Sequence, residues 1–328
     1  MIIEKSPDGF RATVPCKVNL FLEVLGKRDD GYHSLDTVMM AVSLADELEI
    51  TTRTDGQLTL SVEFPEGFGQ PLADSDFAWR IPEDSSNLII KAVDRLRISL
   101  DKSDAGANIR LIKRIPAMAG LGGGSADAAA ALALGMALWG SANDFEKTKT
   151  IASGLGSDVN FFLEGQRNGF WLARCTKRGE AIQPLACFEP LHFVIVHPPV
   201  GCGTAEVFKA IGPIWWQERP ETPETLLRTL ELGGNAQSQW GVFNRLETAA
   251  MSTTDWIDRT RKRIDRYNHL GQCMSGSGSA RFCLCATRDQ AEKIVSELRT
   301  NGGMRAYCAQ SWQSSGIEEQ INRVRNES

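Results

Sequence analysis

Four glycines fall among residues 120–124, in the run K-R-I-P-A-M-A-G-L-G-G-G-S-A-D-A-A-A-A-L that starts at Lys113. Apolar alternation before Pro116 predicts a strand, and the alanine run after Ser125 predicts a helix opened by that serine. A chain that turns from strand to helix through so many glycines brings its backbone close to whatever lies in the turn. Glycine permits that approach and positive φ, and the first N–H groups of the helix supply positive potential. The segment therefore reads as an anion cradle formed by Pro116, Ala117, Met118, Ala119, Gly120, Leu121, Gly122, Gly123, Gly124, Ser125 and Ala126. It is no Walker A loop, since neither Lys-Ser nor Lys-Thr follows the glycines, and Ser125 stands where a dinucleotide fingerprint needs its third glycine. Asp144, about twenty residues on, falls at a predicted helix start, not at the end of a second strand. A tight turn packed by small residues is the plainer alternative.

The rest of the chain must supply the frame. At 328 residues it fits two domains better than one. With 42% hydrophobic and 23% charged residues, it has the composition of a soluble globular protein. A net charge of −5 offers no general attraction for nucleic acid, so an anionic ligand must be captured locally. The eight cysteines include no C-x-x-C and have few histidines near them, so they read as reduced thiols in a cytosol, with Cys283 and Cys285 acting as small hydrophobes in a strand. The N-terminus lacks a signal-peptide pattern, and the uncharged run Ala128–Asn143 is too short to span a membrane, so it is expected to be a buried helix.

Strand patterns cover residues 10–25 and, after the turn G-K-R-D-D-G-Y-H, the stretches D-E-L-E-I-T-T and Q-L-T-L-S-V. A loop over Pro65–Pro82 precedes the helical pattern N-L-I-I-K-A-V-D-R-L-R-I and the strand N-I-R-L-I-K-R-I-P. A short helix is expected over Asp144–Ser153. Beyond Gly169 come the strand H-F-V-I-V, several amphipathic helices between Glu221 and Arg266, and a closing strand, strand, helix, strand series. This divides the chain into domains 1–168 and 169–328, with Trp215 and Trp216 expected in a core. In P-C-K-V-N-L-F-L-E-V, Lys17 and Asn19 lie two apart in a strand and so project to one side, either into a shared cavity or, for a lysine at a strand edge, toward solvent.

P-x-x-x-G-L-G-G-G-S resembles the second signature of the GHMP kinases, and its G-G-G-S form resembles the diphosphocytidyl-methylerythritol kinase branch. Three further segments extend the resemblance: the Lys17–Asn19 strand, the run L-G-S-D-V-N-F-F-L, and C-M-S-G-S-G-S-A-R-F near the C-terminus. The turn G-K-R-D-D-G-Y-H-S-L-D-T resembles that branch specifically. The resemblance implies a two-domain α+β / α/β GHMP fold, with an N-terminal ribosomal-S5-like, ATP-binding domain and a C-terminal ferredoxin-like substrate domain. It implies a cytoplasmic enzyme, monomeric or weakly dimeric, that uses ATP and Mg²⁺ on a small cytidyl diphosphate sugar alcohol in non-mevalonate isoprenoid synthesis, with no nucleic-acid or membrane partner.

By that resemblance Asp158 is the base and Lys17 its partner, Asn19 contacts substrate, and Tyr32, His33 and Phe208 hold a cytosine by stacking and edge hydrogen bonds. Ser275, Gly276, Ser277 and Gly278 would form an N–H nest for phosphate, and Ser125 would touch metal or phosphate. Plainer roles stand beside these: a helix cap for Asp158, a packed turn for Tyr32 and His33, and a strand-linking turn for the Ser/Gly run. Two departures stand out. Ala126 replaces a serine and Asn160 a proline, so a side-chain phosphate contact is lost at the first and a backbone N–H is freed at the second. Another GHMP kinase or a catalytically silent nucleotide-binding homologue are the rival readings.

Overall fold

The computed structural model describes residues 1–73, 76–140, 144–187, 189–212, 221–233, 240–300 and 303–313. Trp215 and Trp216 lie outside the described residues.

Two long antiparallel strands, β2 (Gly9–Lys27) and β3 (His33–Arg53), organise the first sheet. Their pairing is interrupted at Pro15/Cys16, Asn19/Phe21 and Val24/Gly26. Proline has no N–H for a ladder, so a bulge is where a central strand tolerates it, and bulges re-aim the side chains that follow. β1 (Ile2–Ser6) pairs with β2, and β5 (Gly106–Ile112) lies between the outer half of β3 and parallel β4 (Leu58–Glu63). The inner half of β3 pairs instead with β6 (Leu172–Lys177), and β7 (Ala181–Pro184) follows β6.

Helices α1 (Leu88–Ser99), α2 (Gly123–Trp139), α3 (Phe145–Leu155) and α4 (Ser157–Asn168) cover this sheet. α1 starts where the Asn87 carboxamide oxygen accepts the Ile89 N–H at 2.9 Å, a cap whose loss typically costs ~1 kcal/mol. The alanines of α2 from Ala126 to Ala133 are buried, as expected of a central helix, and Gly135 lets α1 approach, since a Cβ there would lie 2.7 Å from the Leu96 side chain.

The second sheet has the order β10 (Gly271–Met274), β11 (Arg281–Cys285), β8 (His192–His197), β12 (Arg305–Gln310), all neighbours antiparallel. In chain order the strands and their helices, including α5 (Thr204–Ala210), α6 (Glu224–Glu231), α7 (Leu246–Met251), α8 (Trp256–Ile264) and α9 (Arg288–Thr300), give the ferredoxin-like arrangement. A two-residue strand, β9 (Phe243–Asn244), returns to pair with β2. The expected division after residue 168 does not follow the sheets: β6 and β7 continue the first, because the inner half of β3 needs a partner that β5 is too short to provide. Cys16, Val18, Leu20 and Phe21 of β2 share one core with Phe193, Ile195 and Phe282 of the second sheet. All eight cysteines are free, and Cys283 and Cys285 are buried in β11. Among the described residues no helix is long and apolar enough to cross a membrane.

His197 is fully buried at the end of β8, beside Arg305, which is ion-paired to Asp76 at 2.6 Å. Neither ring nitrogen has a hydrogen-bond partner among the described residues. Burial, reinforced by the Arg305 charge, holds its pKa down at about 3. The unfolded chain accepts this proton near pH 6.5 and the folded chain does not, so the stability is complete above about 6.5 and is lost as pH falls toward 3, at about 1.4 kcal/mol per unit. In urea titrations at about pH 7 and about pH 5, His197→Leu is expected to lose about 2 kcal/mol less than the wild type between the two pH values.

Candidate active site

The bulged segment of β2 sends Lys17 and Asn19 into a cleft of about 1140 Å³ between the two sheets. Lys17 is almost fully buried, and its ammonium donates to Asn19 Oδ1 at 2.6 Å and to the Gly120 carbonyl at 2.9 Å. Its third neighbour is Asp158 Oδ2 at 3.5 Å, from the first turn of α4. An ammonium taken out of water needs such partners, and these come from three separate segments. Asp158 keeps about a third of its side chain exposed, so it faces the cleft rather than capping the helix, whose N-cap is Gly156. Asn19 is oriented in turn: its amide nitrogen donates to Thr37 Oγ1 at 2.8 Å, and that hydroxyl donates to the Phe21 carbonyl at 2.6 Å. Thr37 closes the Tyr-His turn segment in sequence, but only the fold of β3 over β2 gives it this role.

The glycine loop lies against the Ser/Gly loop. Gly120 has φ +74°, and any Cβ there would overlap the Ser275 carbonyl oxygen. Ser275 Oγ donates to the Gly120 carbonyl at 2.9 Å, and the Ala280 N–H donates to the Ala119 carbonyl at 3.0 Å. Asn244, which no motif singled out, donates to the Met274 and Gly276 carbonyls at 2.7 and 2.8 Å and braces the loop from behind.

Pro116, Ala117, Met118, Gly120, Gly122, Gly123, Gly124 and Ser125 line the cleft, whereas Ala119, Leu121 and Ala126 lie behind it. The helix opens at Gly123, not Ser125, because Gly122 at φ +70° is its N-cap. Ala126 is thus a turn inside the helix; its Cβ is in the core and its N–H is bonded to the Gly122 carbonyl. Ala126, expected in the anion cradle, therefore has no N–H open to phosphate. Of the expected nest, Gly276 and Ser277 line the cleft, while the Ser275 and Gly278 N–H groups are taken by the carbonyls of Ala280 and Ser275. Asn160 is buried in α4 and its amide donates to Ser153 Oγ at 2.8 Å, tying α4 to α3 where proline would leave no such donor.

At the other end of the cleft the aromatic groups differ from the expected clamp. His33 and Phe208 stack on each other, centroids 4.8 Å apart, because α5 presents Phe208 to the start of β3. Tyr32 is half-exposed under the Arg178 guanidinium, 3.8 Å from its ring centre. Burial, with Lys27 adding to it, holds the His33 pKa below its ordinary value.

Beneath the glycine loop, Lys113 is buried between Asp46 and Asp127 at 2.5 and 2.6 Å. Asp46 also accepts the Arg114 and Ile115 N–H groups at 2.6 and 2.8 Å, fixing the start of the loop. Burial pushes the Asp127 carboxyl up; Lys113 pulls it down and Asp46 pushes it up again, leaving it at about 8. Removing one partner of such a buried group typically costs about 3–5 kcal/mol. Lys113→Met is expected to lower unfolding stability by that amount in urea titration, and a loss under about 1 kcal/mol would show the triad to be dispensable.

Residues 87–166 match the family described as GHMP kinases N terminal domain, and residues 225–303 match GHMP kinases C terminal. The 4-diphosphocytidyl-2-C-methyl-D-erythritol kinase of Rhodopirellula baltica is 34% identical over 89% of this chain and 91% of its own length. That of Pelotomaculum thermopropionicum is 35% identical over 88% and 93%. A crystal structure of 4-(cytidine 5'-diphospho)-2C-methyl-D-erythritol kinase aligns with a TM-score of 0.72 at 31% identity, over 93% of this chain and all of that one. A homoserine kinase structure from Cytophaga hutchinsonii shares the fold, with a TM-score of 0.67 at 16% identity over 95% and 97%. With that identity along nearly its whole length, the chain belongs to the 4-diphosphocytidyl-2-C-methyl-D-erythritol kinase family of the GHMP kinases.

Proposed function

We propose that the protein transfers the γ-phosphoryl group of ATP to the tertiary 2-hydroxyl of 4-diphosphocytidyl-2-C-methyl-D-erythritol, a step of non-mevalonate isoprenoid synthesis. The observation that carries this reading is the Lys17–Asp158 pair, 3.5 Å apart in a cleft that has the glycine loop on one side and Tyr32, His33 and Phe208 on the other. The names of the relatives supply the acceptor. ATP lies with its phosphates along the N-terminus of α2, where Gly122–Gly124 leave the backbone accessible. Asp158 accepts the hydroxyl proton as the oxygen attacks, and Lys17 steadies the carboxylate. Because phosphoryl transfer is loose and metaphosphate-like, holding the hydroxyl in line is a large part of what Asp158 and Asn19 contribute.

Mg²⁺ fits this donor set. The Ser125 hydroxyl lies 4.0 Å from a Cβ placed on Gly156, facing the start of α4 that carries Asp158. A single hydroxyl at the phosphate end of the cleft suits a hard cation held mostly by phosphate oxygens and water. When bound, the ion would neutralise charge on the β and γ oxygens, with Ser125 as its protein contact.

ADP release by the purified protein with Mg-ATP and 4-diphosphocytidyl-2-C-methyl-D-erythritol is the test, with homoserine, mevalonate and galactose alongside. Turnover confined to the cytidyl substrate, and reduced about 10²–10⁴-fold in Asp158→Asn, is expected. Activity on another alcohol would retain the superfamily and reject the acceptor; ATP binding without ADP formation would point to a silent homologue.

A further inference from the structure

The cleft is cationic along its middle. Lys17, Lys27, Arg178 and Lys209 line it, with Asp158 as the carboxylate. Lys17 is committed to Asp158, Asn19 and Gly120. Among the described residues Arg178, Lys27 and Lys209 have no ion-pair partner within 4.0 Å. Asp30, the carboxylate that feels Arg178, is held by Arg28 at 3.1 Å and by the Tyr32 N–H at 3.1 Å.

We propose that Arg178, flanked by Lys27, binds the diphosphate of the acceptor and so sets the distance between the base and the hydroxyl that is phosphorylated. This rests on the acceptor reading above. Arg178 sits on the turn between β6 and β7, closed by the Gly179 N–H on the Thr176 carbonyl at 3.0 Å, with Lys177 at φ +63° and Gly179 at φ +108°. Gly179 packs on the start of α4, where its Cβ would lie 3.4 Å from that of Ser157, the neighbour of Asp158. On its other side the guanidinium lies over the Tyr32 ring. The turn therefore bridges the two ends of the cleft. A molecule with its pyrimidine at Tyr32 and His33 and its hydroxyl at Asp158 carries its diphosphate past Arg178. A guanidinium stacked on a ring keeps its N–H edge free for paired oxygens, which a lysine cannot reproduce. Lys27, close enough to His33 to disfavour its protonation, adds charge from the opposite strand.

The test is calorimetric titration of the wild type, Arg178→Ala and Arg178→Lys with CDP and with cytidine, the nucleotide side being filled by a non-hydrolysable ATP analogue. The wild type is expected to bind CDP more tightly than cytidine. Arg178→Ala should lose about tenfold or more for CDP while cytidine changes less than about twofold, and Arg178→Lys should recover part of the loss. An unchanged ratio of CDP to cytidine affinity in Arg178→Ala overturns the proposal. Equal losses for both ligands would do so too, by showing that Arg178 only supports the Tyr32 ring. If the wild type binds neither ligand, the acceptor reading falls first and this proposal with it.

Discussion

The buried ammonium of Lys17 is the point on which the cleft depends. Removed from water, it must be surrounded by oxygen, and it finds Asn19 on its own strand, the Gly120 carbonyl of the glycine loop and the Asp158 carboxylate of α4. Those groups come from β2, from the turn before α2 and from the helix after α3, so satisfying one charge fixes three segments relative to one another. The Ser/Gly loop joins the same knot, because Ser275 Oγ donates to the carbonyl that Lys17 also uses. The geometry proposed for catalysis and the structural need of a buried charge are the same arrangement here.

Around that knot the glycines act by omission. Gly120 makes room for the Ser275 carbonyl, Gly122 for the stem of Lys17, and Gly123 for Ile115 and the Lys113 ammonium. The loop is thus pressed between two buried lysines, one in the cleft and one beneath it. Lys17 faces the cleft, whereas Lys113 is enclosed with Asp46 and Asp127 and anchors the loop to β3 and α2. A backbone held on both sides presents its N–H groups in one geometry, which is what binding of phosphate to main chain requires.

How much of this could be read from residues alone follows from how local each feature is. The strand, glycine loop and Ala-rich helix were legible because glycine content and apolar spacing act over a few residues, and Lys17 and Asn19 because a two-residue repeat puts them on one face. The capping chemistry of Ser125 points to a helix start there, yet the helix opens at Gly123 behind Gly122, whose φ of +70° lets the chain turn in before the serine is reached. The Lys113 triad was not legible: Asp46 lies 67 residues from its partner in sequence, and nothing in a polar residue on an apolar strand says what it will meet. The clamp of Tyr32 and Phe208 around a base was drawn from resemblance, and here Phe208 stacks on His33 while Arg178 covers Tyr32. The division after residue 168 missed β6 and β7 because a hairpin carries no mark of which sheet it will join.

The two sheets do not meet as separate bodies. Val18 and Leu20, flanking Asn19 on β2, lie in one apolar cluster with Phe193, Ile195 and Phe282 of the second sheet. Side chains packed at crystal-like density accept few substitutions singly. Descent with modification in such a molecule is therefore constrained across its waist: a half inherited from one relative would fit a half from another only if both brought matching surfaces, so the lineage is expected to have changed as a whole chain rather than by exchange of parts.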